Sequence, residues 1–151
     1  MTTCDFFLDL HGTPQELGQS HGESLRSLIQ SGVSQWPDYL AEATKMPFAV
    51  LLKRFLADTN YRPAINRWAP HLADEMRGIA EGANLDEDLI YAWHLVDEII
   101  DYVVEYIYIE KCSTLGGYDQ GEGLAPVLGK TQDLMHCYIG TAVVIRSRYA
   151  G

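Results

Sequence analysis

Near residue 110 the spacing of apolar residues changes period, and that change limits the chain to folds in which a helical region precedes a sheet. From Thr13 to Val104 apolar residues recur three and four apart, as helices with one buried face require. After Lys111 the chain breaks into short runs rich in β-branched residues, separated by glycine-rich turns, which is how strands read. The expected class is therefore α+β. A mainly helical region over 1–111 should be followed by a sheet-forming region over 112–151.

Individual elements follow from local chemistry. Phe6–Leu10 is a short apolar run that predicts a strand, turned by Gly12. Thr13-Pro14-Gln15-Glu16 combines a cap, a proline at the first helical position and a glutamate three residues after the cap, which together open a helix. That first helix is expected to reach Ser31 or Gln35, with Pro37 and Pro47 as punctuation. Gly18 and Gly22 lie four apart on one of its faces. Their cost in helix propensity implies close packing against another backbone.

Further helices are expected over Phe48–Leu56, Tyr61–Trp68 and Pro70–Gly82, and one from Asp86 to about Val104. The last is apolar on most sides and should be central, with a polar stripe of His94, Asp97, Glu98, Asp101 and Glu105. Such a stripe could in principle ligate metal in a bundle. The second Glu-x-x-His element that those sites use is missing, so a solvated face is the better reading and no metal is expected. Strands are then expected over Cys112–Tyr118, Leu124–Gln132 and Tyr138–Arg148.

Charge and cysteine usage narrow the function. The formal charge is −10, and eight of the 21 acids fall between residues 86 and 110, a stretch without Lys or Arg. An acidic surface repels phosphate backbones and anionic lipid, so neither nucleic acid nor a membrane is an expected partner. Leu89–Ile109, the longest apolar-rich stretch, is interrupted by Asp97, Glu98, Asp101 and Glu105, which argues against a span. Met1–Asp5 lacks the basic start of a targeting segment. Cys4, Cys112 and Cys137 stand at unrelated spacings and suggest reduced thiols in the cytoplasm. With no C-x-x-C and no H-E-x-x-H, zinc is not indicated. The five histidines are scattered and mark no site of their own.

Chemistry concentrates where the period changes. A cysteine at a strand start is most often a small core residue. Here Cys112 is followed by Ser113 and Thr114, and a Lys-x-x-Asp pair, Lys130 and Asp133, comes one hairpin later. The combination of LHGTPQELGQSHGE (10–23), ADEMRGIAEGANLDEDLIYAWHLVDE (73–98), Cys-Ser-Thr at 112 and GKTQD at 129–133 resembles the acyl-coenzyme A:6-aminopenicillanate acyltransferase-like family. This is a branch of the N-terminal-nucleophile hydrolases, also called the C45 peptidases.

The resemblance implies a helices-on-two-sheets (αββα) fold, with the first antiparallel strands starting at Cys112. It implies self-cleavage between Lys111 and Cys112, which frees Cys112 as an N-terminal nucleophile whose α-amino group is the general base. An α-amino pKa of about 8 suits that role near neutral pH. Asp133 would hold the amino group and substrate. Lys130 stands where related bile-salt hydrolases have arginine, and Thr131 where the family more often has asparagine; both are expected at the substrate. Lys111 stands where the family often has glycine.

No cofactor is implied, and the substrate would be a small molecule with an amide or thioester bond. The family's four layers need about twice this length. The expectation is thus an N-terminal part, inactive alone, that associates with the remainder of the polypeptide or forms a homo-oligomer. The competing reading is a non-catalytic helical binding or assembly module built from residues 13–110, or an inactive remnant.

Overall fold

A computed structural model describes residues 7–103, 113–117, 127–131 and 143–150. The elements in order are β1 (Phe7–Gly12), α1 (Pro14–Ser24), α2 (Arg26–Thr44), α3 (Phe48–Asp58), α4 (Tyr61–Trp68), α5 (Pro70–Ala83), α6 (Glu87–His94), α7 (Val96–Tyr102), β2 (Ser113–Gly117), β3 (Val127–Thr131) and β4 (Val144–Tyr149). The α+β class expected from the sequence holds, and the described chain is mostly helical.

The expected start of α1 is built as its residues require. The Thr13 backbone N–H donates to Glu16 Oε2 at 2.8 Å, and the Glu16 N–H donates to Thr13 Oγ1 at 3.4 Å. This reciprocal box satisfies donors that a helix start otherwise leaves unpaired. Thr13→Ala is expected to lower stability by about 1 kcal/mol, read as a lower urea midpoint at unchanged slope.

Gly18 and Gly22 do pack against another backbone, and that backbone is α5. A Cβ placed on Gly18 would lie 2.0 Å from the Glu75 carbonyl oxygen, and one on Gly22 would lie 2.4 Å from that of Ile79. Gly78 and Gly82 present α5 in return, where a Cβ on either would lie 2.2 Å from an α1 carbonyl oxygen, those of Gln15 and Gln19. Four glycines thus let two helices meet main chain to main chain. Beside the crossing, Arg26 Nε donates to Gly82 O at 2.9 Å and Gln30 Nε2 to Ala83 O at 2.8 Å. These bonds satisfy carbonyls that the end of α5 leaves open.

The first helix does not run on to Ser31 unbroken. Leu25 takes φ −113°, ψ 18°, although Leu25 N–H still reaches His21 O and Ile29 N–H still reaches Leu25 O. The chain bends there and continues as α2. Nor does Pro37 end a helix, since α2 carries it internally to Thr44. Proline forfeits one ladder bond, but the fully buried Trp36, Leu40 and Val33 on either side anchor the helix across it, and that burial outweighs the local cost. Leu95 divides the expected 86–104 helix in the same way, into α6 and α7.

The core lies among α2, α3, α5, α6 and α7, where Trp36, Leu40, Leu51, Phe55, Ile90 and Ile99 are all buried. The 86–103 segment is central to it, as its apolar circumference suggested. By contrast α4 buries no residue.

Two small ladders complete the described structure. β2 and β3 pair antiparallel, Ser113 opposite Thr131 and Thr114 opposite Lys130, as expected. β4 overlaps the third expected strand, whose residues 138–142 lie outside the described residues, and runs one residue past its expected end, but it pairs parallel with β1, Asp9 opposite Arg146. A parallel pair needs a long crossover, and apolar alternation carries no information about such a distant partner. The Arg146 guanidinium binds the Asp9 carboxylate, with Arg148 and His11 near it, and holds the Asp9 carboxyl below its ordinary range. Among the described residues no helix is long and apolar enough to cross a membrane.

Candidate functional site

Of the residues singled out by sequence, Lys130 and Thr131 fall in the described structure, as the last two residues of β3. Lys130 is exposed and stands directly across the ladder from Thr114. Residues opposite each other in an antiparallel pair share a face, so Lys130 and Thr114 project together. Lys111, Cys112 and Asp133 lie outside the described residues. In sequence Cys112 immediately precedes the first residue of β2, and Asp133 follows the last residue of β3 by two.

The β2–β3 ladder exposes apolar side chains on both faces. Alternation puts Leu115 on one face and Leu128, with Thr114 and Lys130, on the other. Each leucine is 78 % exposed.

The acidic stripe is solvated at His94, Asp97 and Asp101, which are exposed, whereas Glu98 is half-buried. Glu105 lies outside the described residues. No three His, Cys, Asp or Glu side chains converge among the described residues.

A cleft of about 220 Å³ opens between α1, α2, α5 and α6. Leu28, Ile29, Ile79, Ile90, Trp93 and Val143 make it apolar, and among the described residues His21 and His94 are its titratable groups. His21 is half-buried and His94 is exposed. His94 Nδ1 lies 2.9 Å from Ile90 O. Since a carbonyl only accepts, Nδ1 carries the proton in the neutral ring and Nε2 bears a lone pair. Burial, and next the charge of His94, push the His21 imidazole below its ordinary range, while Glu75 opposes both. Glu75 itself accepts from Tyr149 Oη at 2.9 Å.

Scattered histidines gave no sequence signal of this pairing, because His21 and His94 stand 73 positions apart. Helical spacing does hold a partial one. His21 follows Gly18 by three and precedes Leu25 by four, which puts it beside the face that packs.

The two places offer different chemistry. The ladder offers a cation beside a strand that begins one residue after a cysteine. The cleft offers an apolar well with two imidazoles in its lining. No protein-family model matches the chain, and comparison with curated proteins finds no match.

Proposed function

We propose that the chain belongs to a cysteine N-terminal-nucleophile hydrolase or acyltransferase of the αββα type that acts on a linear amide or thioester bond. The observation that carries this reading is the β2–β3 ladder. It starts at Ser113, directly after Cys112, and returns through Lys130 opposite Thr114 to end at Thr131, two residues before Asp133 in sequence. A cysteine one residue before a strand in sequence, with a lysine on the paired strand and an aspartate soon after it in sequence, suits a thiol nucleophile supported by a cation.

In the reaction, cleavage of the Lys111–Cys112 bond frees the Cys112 α-amino group. That amine takes the thiol proton, and the thiolate adds to the substrate carbonyl. The amine then returns the proton to the leaving nitrogen, which leaves a thioester that water or a second amine resolves. Asp133 orients the ammonium, and Lys130 steadies the thiolate or a substrate carboxylate as a point charge. Thr131 contacts the substrate. The unrelated spacing of the three cysteines supports a reducing, cytoplasmic setting.

The same reading accounts for Leu115 and Leu128. A two-stranded ladder is marginal alone, and leucines exposed on both faces call for a covering layer on each. We assign those layers to further polypeptide of the same assembly.

Mass spectrometry of the purified chain provides the test. A fragment beginning at Cys112 is expected, with Cys112→Ala leaving the chain whole. An intact wild-type chain whose Cys112 resists a thiol reagent at neutral pH would favour the helical binding module instead.

A further inference from the structure

The cleft between α1, α2, α5 and α6 is unrelated to the cysteine chemistry, and its make-up defines a ligand. We propose that it binds a small monocarboxylate with an apolar tail, the carboxylate lying between His21 and His94 and the tail against Leu28, Ile29, Ile79 and Trp93. An apolar cavity of about 150 Å³ already holds a molecule the size of benzene. This cleft, at about 220 Å³, takes a tail of comparable length together with a polar head.

The head group follows from the two imidazoles. Neutral His94 offers a lone pair at Nε2, since its Nδ1–H is committed to Ile90 O. His21 resists protonation because it is partly desolvated and faces His94. An anion placed between the rings offsets both penalties, because it attracts each positive ring and screens one from the other. A neutral ligand offsets neither. A phosphate dianion fits less well, because Glu75 on α5 brings a carboxylate towards His21 and the remaining lining is apolar. Glu75 is the acid that α5 turns towards His21, and it is held by Tyr149 of β4. From α2 and α6 the cleft receives no charged group except His94.

Binding is then coupled to proton uptake, with a definite sign. Burial holds the free-state His21 pKa below the ordinary imidazole range, and a bound anion raises it. Protons are therefore taken up on binding between those two values. Affinity rises as the pH falls through the bound-state value and levels off below the free-state value, by up to about tenfold per pH unit for one proton.

The test uses the intact chain with hexanoate and hexan-1-ol as probes, followed by calorimetry at pH 7.5 and 5.5 in buffers of different ionisation enthalpy. Histidine ring proton shifts are recorded in parallel. The expected result is hexanoate binding that tightens about tenfold at the lower pH with net proton uptake, and hexan-1-ol binding that is weaker and independent of pH. His21→Gln should remove the pH dependence while leaving the circular dichroism unchanged. Leu28→Trp, which fills the well, should abolish binding of both probes. No hexanoate binding at either pH, equal binding of the alcohol and the acid, or hexanoate binding unchanged in both variants would each overturn the proposal.

Discussion

Replacing Gly18 with alanine should destabilise the chain by several kcal/mol, more than about 4 for a leucine at the same position. On an open helix surface the same change gains about 1 kcal/mol, since alanine is the better helix former. The sign reverses here because of what the new methyl meets. At 2.0 Å from Glu75 O and 2.9 Å from the carbon that bears it, the obstacle is main chain and cannot rotate aside. Only a wider separation of α1 and α5 relieves the overlap.

That separation would affect all four glycines together. The carbonyls of Gln15, Gln19, Glu75 and Ile79 stand within 2.4 Å of the missing Cβ positions, so one displaced pair undoes the fit of the rest. Combining Gly18→Ala with Gly82→Ala should therefore cost less than the sum of the two single changes. Urea denaturation followed by circular dichroism measures all three variants. A midpoint raised by Gly18→Ala would show that the helices do not cross at these residues.

This crossing was half legible in the sequence. Gly18 and Gly22 pay a propensity cost that only close packing explains, and a close approach could be inferred from α1 alone. The partner could not, because Gly78 and Gly82 read equally well as the tail of an amphipathic helix near its end. The helix breaks at Leu25 and Leu95 were hidden for a related reason. Both residues are apolar, buried and in register with the helical period, and their bends preserve most of the local hydrogen bonding. Pro37 misled in the opposite direction. Its local cost is visible in the sequence, whereas the burial of Trp36 and Leu40 that offsets it is not.

The sheet shows the same limit. Alternation and turn chemistry sufficed for β2 and β3, whose pairing is local. The parallel pairing of β1 with β4 joins residues 137 positions apart, and it depends on how the helices between them pack. In the candidate sites, a cysteine followed by a lysine and an aspartate is a sequence-level pattern. Two histidines brought together by an α1–α5–α6 arrangement are not.

Trp36→Ala should cost about 3–5 kcal/mol, whereas Trp36→Phe should cost less than half of that. Trp36 is wholly buried. Its ring meets Phe48 edge-on at 5.3 Å and Trp93 at 5.4 Å with a 90° interplanar angle. Removing the indole therefore empties the junction of α2, α3 and α6 and forfeits two aromatic contacts, each worth about 0.5–1.5 kcal/mol beyond the buried area.

Phenylalanine keeps much of the volume and an edge-to-face partner. It also deletes the indole Nε1–H, which is buried without a hydrogen-bond partner among the described residues. Leaving such a donor unpaired costs about 1–3 kcal/mol, and its removal offsets part of the lost packing. The ratio of the two losses, from urea midpoints at unchanged slope, separates packing from polarity. Equal losses would mean that the nitrogen, not the ring, holds Trp36 in place. Trp93 connects this result to the cleft, because its ring meets that of Trp36 at 90° while the residue also lines the well, as His94 does. Loosening Trp36 should thus weaken hexanoate binding in the alanine variant and spare it in the phenylalanine variant, although neither change touches the ligand.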